Sequence, residues 1–255
     1  MGRLSGKRAI ITGATGGIGG ATARAFLAEG ASLLLVARTE SKLEELAAAL
    51  DGGDRVACCA ADIADEADTQ RYVATAVEHF GGVDILFANA GSEGAIQPLL
   101  QMAAQDFDAV QRVNVRGSWL AMKYSVPHMP ASGGSIVVTS SVAGKVGVPG
   151  LGAYAASKHA LVGLVEVAAL ELAACGVRVN AIAPAPVDNA MMRNIEKQAA
   201  PEAPEQAQAG FESNIAMKRY ARNEEVASLV LFLASDEAGF CTGAVYPVDG
   251  GFLAA

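Results

Sequence analysis

Seven short apolar runs punctuate this chain, and between them the apolar residues spread out at helical intervals. The runs lie at 9–11, 33–36, 56–59, 85–88, 136–138, 177–182 and 244–248. Between the second and third, Leu43, Leu46, Ala47 and Leu50 recur three and four apart, as on one face of a helix. A run that is apolar throughout suits a strand buried on both faces, and such strands belong to parallel sheets covered by helices. The pattern predicts an α/β fold: a doubly wound, parallel, seven-stranded sheet with helices on both faces. No repeat or linker divides the 255 residues, so one domain, 1–255, is expected. With 52% hydrophobic and 18% charged residues, the composition excludes a disordered chain.

Charge narrows the partners. The net charge is −8 and there is no basic run, which argues against binding to nucleic acid or to an anionic membrane. No apolar stretch reaches the length of a membrane span, and residues 1–8 lead into the first strand without an apolar leader, so a cytoplasmic protein is expected. Cys58, Cys59, Cys175 and Cys241 form no C-x-x-C pair, and His79, His128 and His159 are scattered. No metal site is expected, and the thiols read as free cysteines of a reducing compartment.

Two motifs carry chemistry. The first is Thr12-Gly13-Ala14-Thr15-Gly16-Gly17-Ile18-Gly19, between the first apolar run and a helical pattern through Ile18, Ala21 and Ala25. Such a strand-to-helix turn lets backbone N–H groups approach a phosphate at the helix N-terminus, although an ordinary turn after a buried strand has the same look. The second is Tyr154 and Lys158, four apart and so on one helix face, with Ser141 thirteen residues upstream. A phenol of pKa ~10 is a poor acid or base at neutral pH. A fixed positive charge beside it favours phenolate and lowers that value. The pair reads as a tuned acid–base group, with Ser141 donating to an oxygen on which charge develops. Strand alternation sends Ser140 to the other face, as a structural residue. Asn114 lies in a helical stretch where Asn is a mediocre helix former, a cost with no local reason.

Together these residues resemble the short-chain dehydrogenase/reductase family, over residues 7 to 252. The 12–19 turn matches the family's glycine motif, and Asp62 its acidic residue by the adenine. Asn89-Ala90-Gly91 matches most of the motif closing the fourth strand. Asn114, Ser141, Tyr154 and Lys158 match the catalytic tetrad, Pro184 the turn after the sixth strand, and Asp249-Gly250-Gly251 the C-terminal signature. The resemblance implies a Rossmann-like fold and hydride transfer between a nicotinamide and a carbonyl or carbinol carbon. Tyr154 would be the acid/base. Lys158 would lower its pKa and hold the nicotinamide ribose, and Asn114 would hold a water that relays protons to Lys158. Implied cofactor contacts in the glycine turn are Gly13, Thr15, Gly16, Gly17, Ile18 and Gly19. Further along come Arg38, Thr39, Asp62 and Ile63, then Asn89, Ala90 and Gly91, then Pro184, Val187 and Asn189, with Tyr154 and Lys158. Three positions depart from the family pattern. Ala88 replaces the Asn that often precedes Asn89, and Ala185 stands where Gly usually follows Pro184. Asn189 replaces a Thr that bonds the carboxamide, and it has both a donor and an acceptor.

Cofactor choice turns on the end of the second strand. A carboxylate there would hold a 2′-OH, whereas an Arg accommodates a 2′-phosphate. Ala37 takes the acidic position with Arg38 beside it, which predicts NADP(H). Residues 190–212, rich in Ala, Gln, Glu and Pro and interrupted by Pro201 and Pro204, read as an irregular insertion after the sixth strand. A substrate lid over about 188–215 is expected there. Met191, Met192, Phe211 and Val146 would line a pocket for a small, largely apolar ketone or secondary alcohol, cyclic ones included. Two other readings stand beside this one. A 3-oxoacyl-carrier-protein reductase would dock its acidic carrier on Arg112, Arg116 and Lys123. A regulator would bind NADPH without turnover. Small and apolar residues along 100–129 and 152–175, Ala160, Gly163, Ala168 and Ala169 among them, suggest a homotetramer or homodimer.

Overall fold

Strand order decides where a site can form in this molecule. The structure, a computed structural model, describes residues 2–254. In chain order its main elements are β1 (Arg8–Thr12), α1 (Gly17–Ala28), β2 (Ser32–Ala37), α2 (Glu40–Leu50), β3 (Val56–Ala60), α3 (Glu66–Phe80) and β4 (Ile85–Ala88). There follow α4 (Ala104–Gln111), α5 (Gly117–Ser125), β5 (Gly134–Thr139), α6 (Gly152–Leu172), β6 (Val177–Pro184), α7 (Ala190–Ala199), α8 (Pro204–Ser213), α9 (Asn223–Ala234) and β7 (Val245–Val248). The sheet runs β3-β2-β1-β4-β5-β6-β7 with every pair parallel, as expected. Winding reverses between β1 and β4, and in such sheets the ligand crevice opens at the carboxyl ends of the strands where winding reverses.

Period-two alternation explains why the strands are apolar throughout. Ile11, Leu33, Leu35 and Phe87 pack with Phe26, Val230 and Leu233 of α1 and α9. Their neighbours Ile10, Leu34, Val36 and Leu86 pack on the opposite face with Tyr72, Leu161 and Val165 of α3 and α6. Each run serves two cores, so neither set of positions can be polar.

Two segments differ from the sequence reading. The 190–212 stretch is not irregular but forms α7 and α8, with Pro204 in the first turn of α8. At that position the missing N–H costs nothing, and the fixed φ of proline starts a helix instead of breaking it. The helical stretch around Asn114 is continuous from α4 to α5 but loosens into a π-helical segment, Arg112–Arg116. Among the described residues no helix is long and apolar enough to cross a membrane.

Candidate active site

The glycine turn is built by close approach. Gly13 has φ 65°, and a Cβ there would lie 2.8 Å from Ala90 Cα. A Cβ on Gly19 would overlap the Gly13 carbonyl oxygen. Asn89 ties the turn to the sheet. Its Nδ2 donates to the Thr12 carbonyl at 3.1 Å and the Gly13 carbonyl at 3.3 Å, and its Oδ1 accepts from Thr139 Oγ1 at 3.1 Å. The backbone N–H groups of Asn89 and Ala90 both donate to Thr12 Oγ1. The Asn89 side chain is thus occupied in bracing the ends of β1, β4 and β5. No side chain caps α1 and its first turn carries no carboxylate, so its free N–H groups remain available to an anion. This bare cradle fits a pyrophosphate. Thr15, Gly16 and Gly17 are exposed beside it, Ile18 half-buried.

The outer end of the crevice carries Arg38, exposed just beyond β2, and Thr39, whose side chain does not cap α2. Asp62 is exposed and shapes its own turn, Oδ1 accepting from the Ala64 N–H at 2.9 Å. Ile63 is buried against Gly117. On the other side, Pro184 ends β6 and Val187 is buried. Asn189 caps α7, its Oδ1 accepting from the Met191 and Met192 N–H groups at 3.1 and 3.3 Å. Its acceptor is therefore spent on the helix, and only Nδ2 is left for a carboxamide.

Two of the tetrad residues, Asn114 and Lys158, converge on Gly91. A Cβ at Gly91 would lie 3.2 Å from Asn114 Oδ1 and 3.5 Å from Lys158 Nζ. Asn114 is fully buried, its Oδ1 accepting from the Ser92 N–H at 2.8 Å and its Nδ2 donating to Ser92 O and Ser157 Oγ, each at 2.9 Å. Ser157 Oγ donates to the Tyr154 carbonyl at 2.7 Å, so Asn114 holds the helical turn that carries Tyr154. Asn114 lies inside the π-helical segment, a local distortion of the helix. Ser140 Oγ donates to the Lys158 carbonyl at 3.0 Å, in a structural position. Ser141, on the other face, donates to the Pro184 carbonyl at 3.4 Å and accepts from the Ala143 N–H at 3.1 Å.

In the chain by itself Lys158 is not among the groups that shift the Tyr154 pKa. Burial pushes the phenol up to about 12, with the Ser141 hydrogen bond opposing that rise and the Glu93 carboxylate adding to it. The Lys158 ammonium lies 5.4 Å from the Tyr154 ring centre and donates instead to the Thr139 carbonyl at 2.7 Å. Burial pulls Lys158 itself down to about 8.

Over this site lies the 188–221 segment. Met192 and Ile195 are buried with Ile215 and Tyr220, while Met191, Phe211 and Phe252 pack around them. Asn194 Nδ2 donates to Glu93 Oε1 at 2.6 Å, and the Ile96 N–H donates to Gln198 Oε1 at 3.0 Å. Beneath, the Tyr220 hydroxyl donates to buried Glu196 at 2.9 Å, and Arg193 pairs with the same carboxylate at 3.0 Å. A cavity of about 140 Å³ lies at the base of the segment, lined by Ala185, Pro186, Ile215 and Met217 and by none of the tetrad. Glu93, Ser157, Asn194, Glu196 and Tyr220 were not legible from motif spacing. Only Ser157 carries a signal, a helix serine three residues beyond Tyr154. Among the described residues no group of three or more His, Cys, Asp or Glu is placed to hold a metal.

A phosphate-ready turn and a half-buried phenol beside a buried amine at one end of a doubly wound sheet define a class, the dinucleotide-dependent oxidoreductases. Residues 13–253 match the family described as Enoyl-(Acyl carrier protein) reductase. Levodione reductase of Leifsonia aquatica is 39% identical over 257 residues, covering 99% of this chain and 96% of that one. Oxidoreductase UcpA of Salmonella typhimurium is 42% identical, covering 98% and 96%. The 2,5-dichloro-2,5-cyclohexadiene-1,4-diol dehydrogenase of Sphingobium indicum is 39% identical and covers both chains fully. The crystal structure of levodione reductase superposes with a TM-score of 0.96 at 38% identity, covering 99% of each chain. The chain belongs to the short-chain dehydrogenase/reductase family and is an oxidoreductase of that family, whose cofactor is NAD(H) or NADP(H).

Proposed function

We propose that this protein is an NADP(H)-dependent oxidoreductase of small, largely apolar ketones and the corresponding secondary alcohols, cyclic ones included. The observation that carries the reading is the convergence of Asn114, Lys158 and the Tyr154 turn on Gly91, beside the open cradle of the glycine turn. Two relatives, by name a levodione reductase and a cyclohexadiene-diol dehydrogenase, support a ring substrate. A bound nicotinamide supplies or accepts the hydride. Tyr154 gives a proton to the ketone oxygen, or removes one from the alcohol, and Ser141 donates a hydrogen bond to that oxygen. Asn114 positions the Tyr154 turn through Ser157, and Lys158 restores the proton. The apolar cluster of α7 and α8 covers the substrate as a lid and keeps water out.

Exposed Arg38 after buried Ala37 favours a 2′-phosphate, since no carboxylate stands there to repel it. Consumption of NADPH and NADH, run in parallel over cyclic, aryl, aliphatic and 3-oxoacyl ketones, tests cofactor and substrate together. NADPH is expected to be preferred, and Arg38→Asp to shift preference toward NADH. Equal use of both by the wild type overturns the role of Arg38. A carrier-protein substrate is disfavoured because Arg116 and Lys123 are paired with Glu66 and no longer form a free basic patch. A regulator without turnover is disfavoured by the complete tetrad. The protein is cytoplasmic in this reading, and a homotetramer or homodimer. Trp119, Leu170 (83% exposed) and Phe240 remain outside the cores and suit a self-interface. Light scattering is expected to give a mass of two or four chains, and a monomer at assay concentration overturns this.

A further inference from the structure

Asn223 opens α9, yet its side chain serves a different part of the molecule. That helix end is already capped, the Arg222 N–H donating to Glu225 Oε2 at 2.7 Å. The Asn223 carboxamide reaches away in two directions. Its Nδ2 donates to the Asp188 carbonyl at 3.1 Å. Its Oδ1 is buried without a hydrogen-bond partner and lies against Gly17, the first residue of α1. A Cβ on Gly17 would overlap Asn223 Oδ1 and fall 2.9 Å from Asn223 Cγ and 2.8 Å from Asn189 Cβ. Contact with these two asparagines, not backbone strain, excludes a side chain from Gly17.

The other end of this contact is the root of the lid. Val187 and Ala221 form a parallel bridge. The Asp188 N–H donates to Ala221 O at 2.9 Å, and the Ala221 N–H donates to Pro186 O at 3.0 Å. The two ends of the 188–221 segment are thus clamped together, and Asn223 leans that clamp on the turn. The geometry points to Asn223 as a positioning residue that couples the dinucleotide-binding turn to the lid. An anion at the N-terminus of α1 loads the backbone at Gly17. That load passes through the Asn223 carboxamide to the Asp188 carbonyl, one residue before the Asn189 cap of α7. A buried acceptor lacking a donor is costly, so the carboxamide responds to small shifts on either side. The inference rests on reading the turn as a dinucleotide site and 188–221 as a lid.

The test measures NADPH and NADH binding by titration calorimetry, and amide hydrogen exchange across 188–222 with and without saturating dinucleotide. In the wild type, bound dinucleotide is expected to slow exchange in both the turn and the lid. In Asn223→Ala, saturating dinucleotide is expected still to protect the turn while the lid exchanges as in the free protein. Lid protection equal to the wild type overturns the coupling. Gly17→Ala is expected to raise the dinucleotide Kd about tenfold, within the range of measured couplings between sites. Adding Asn223→Ala is expected to recover part of that loss, because the contacts with Asn223 Oδ1 and Cγ are removed while that with Asn189 Cβ remains. Strictly additive effects overturn the contact. A wild type that binds neither dinucleotide overturns the functional reading and the coupling with it. Dinucleotide bound with lid exchange indifferent to Asn223 overturns the coupling alone.

Discussion

The carboxyl ends of β1, β4 and β5 and the 188–221 segment face one crevice but are held by different means. At the strand ends, half-buried and buried side chains bond backbone groups across the sheet, as half-buried Asn89 does to Thr12 and Gly13, and buried Lys158 to Thr139. In the 188–221 segment, bonds run between side chains that are largely half-exposed, as from Asn194 to Glu93 and from Arg193 to Gln208. Its one deeply buried polar pair is Tyr220 with Glu196. Proton transfer needs fixed geometry, and the backbone ladder supplies it. Admission of substrate needs a segment that opens at small cost, and a few exposed bonds meet that need.

Three substitutions probe this contrast. Tyr154→Phe removes the proposed acid/base from the rigid side. It is expected to lower kcat by about a thousandfold, within the usual span of general acid–base catalysis, while dinucleotide affinity changes less than about twofold. Stopped-flow hydride transfer beside equilibrium titration checks this, and unchanged kcat would remove Tyr154 from the mechanism.

Lys158 tests the same side by pH. Its folded-state value is about 8, against an ordinary 10.5 in the unfolded chain. Below about 8 both states carry the proton, and burial of the ammonium is a constant penalty. From about 8 to 10.5 the unfolded chain binds more protons, so stability rises with pH across that window. In Lys158→Met the rise is expected to vanish. The stability advantage of the variant in urea melts is then greatest below pH 8 and shrinks toward pH 10. Parallel pH profiles for the two proteins would mean that Lys158 is not desolvated.

The smallest effect belongs to the lid. Asn194→Ala removes the bond to Glu93, a contact of about 0.5–1.5 kcal/mol. Steady-state kinetics is expected to show a KM for ketone a few-fold higher, with the melting temperature lowered by no more than a few degrees and the hydride-transfer rate unchanged. A fall in hydride transfer without a change in KM would place Asn194 in the rigid half.

The degree to which the site could be read in advance follows the same division. Gly13 and Gly19 are legible because only glycine survives the close contacts of that turn, and Tyr154 and Lys158 because one helix face places them together. The cost of an Asn at 114 was legible, but the π-helical segment around it was not. The two helices of the lid were hidden because proline stops or starts a helix according to its position, and spacing does not reveal which. The full use of the Asn89 carboxamide was hidden as well, because its partners lie 50 to 77 residues away.

Sequence alone determined the strands, their parallel arrangement and the pairing of Tyr154 with Lys158 on one helix face. Each of these depends on periodicity or on spacing within one helix, where geometry is local. Tertiary structure alone decided that Tyr154 is raised rather than lowered, that Asn189 spends its acceptor on a cap, and that Asn223 bears on Gly17. Those outcomes depend on which groups exclude water from one another, and burial is set by partners that only the closed fold brings together.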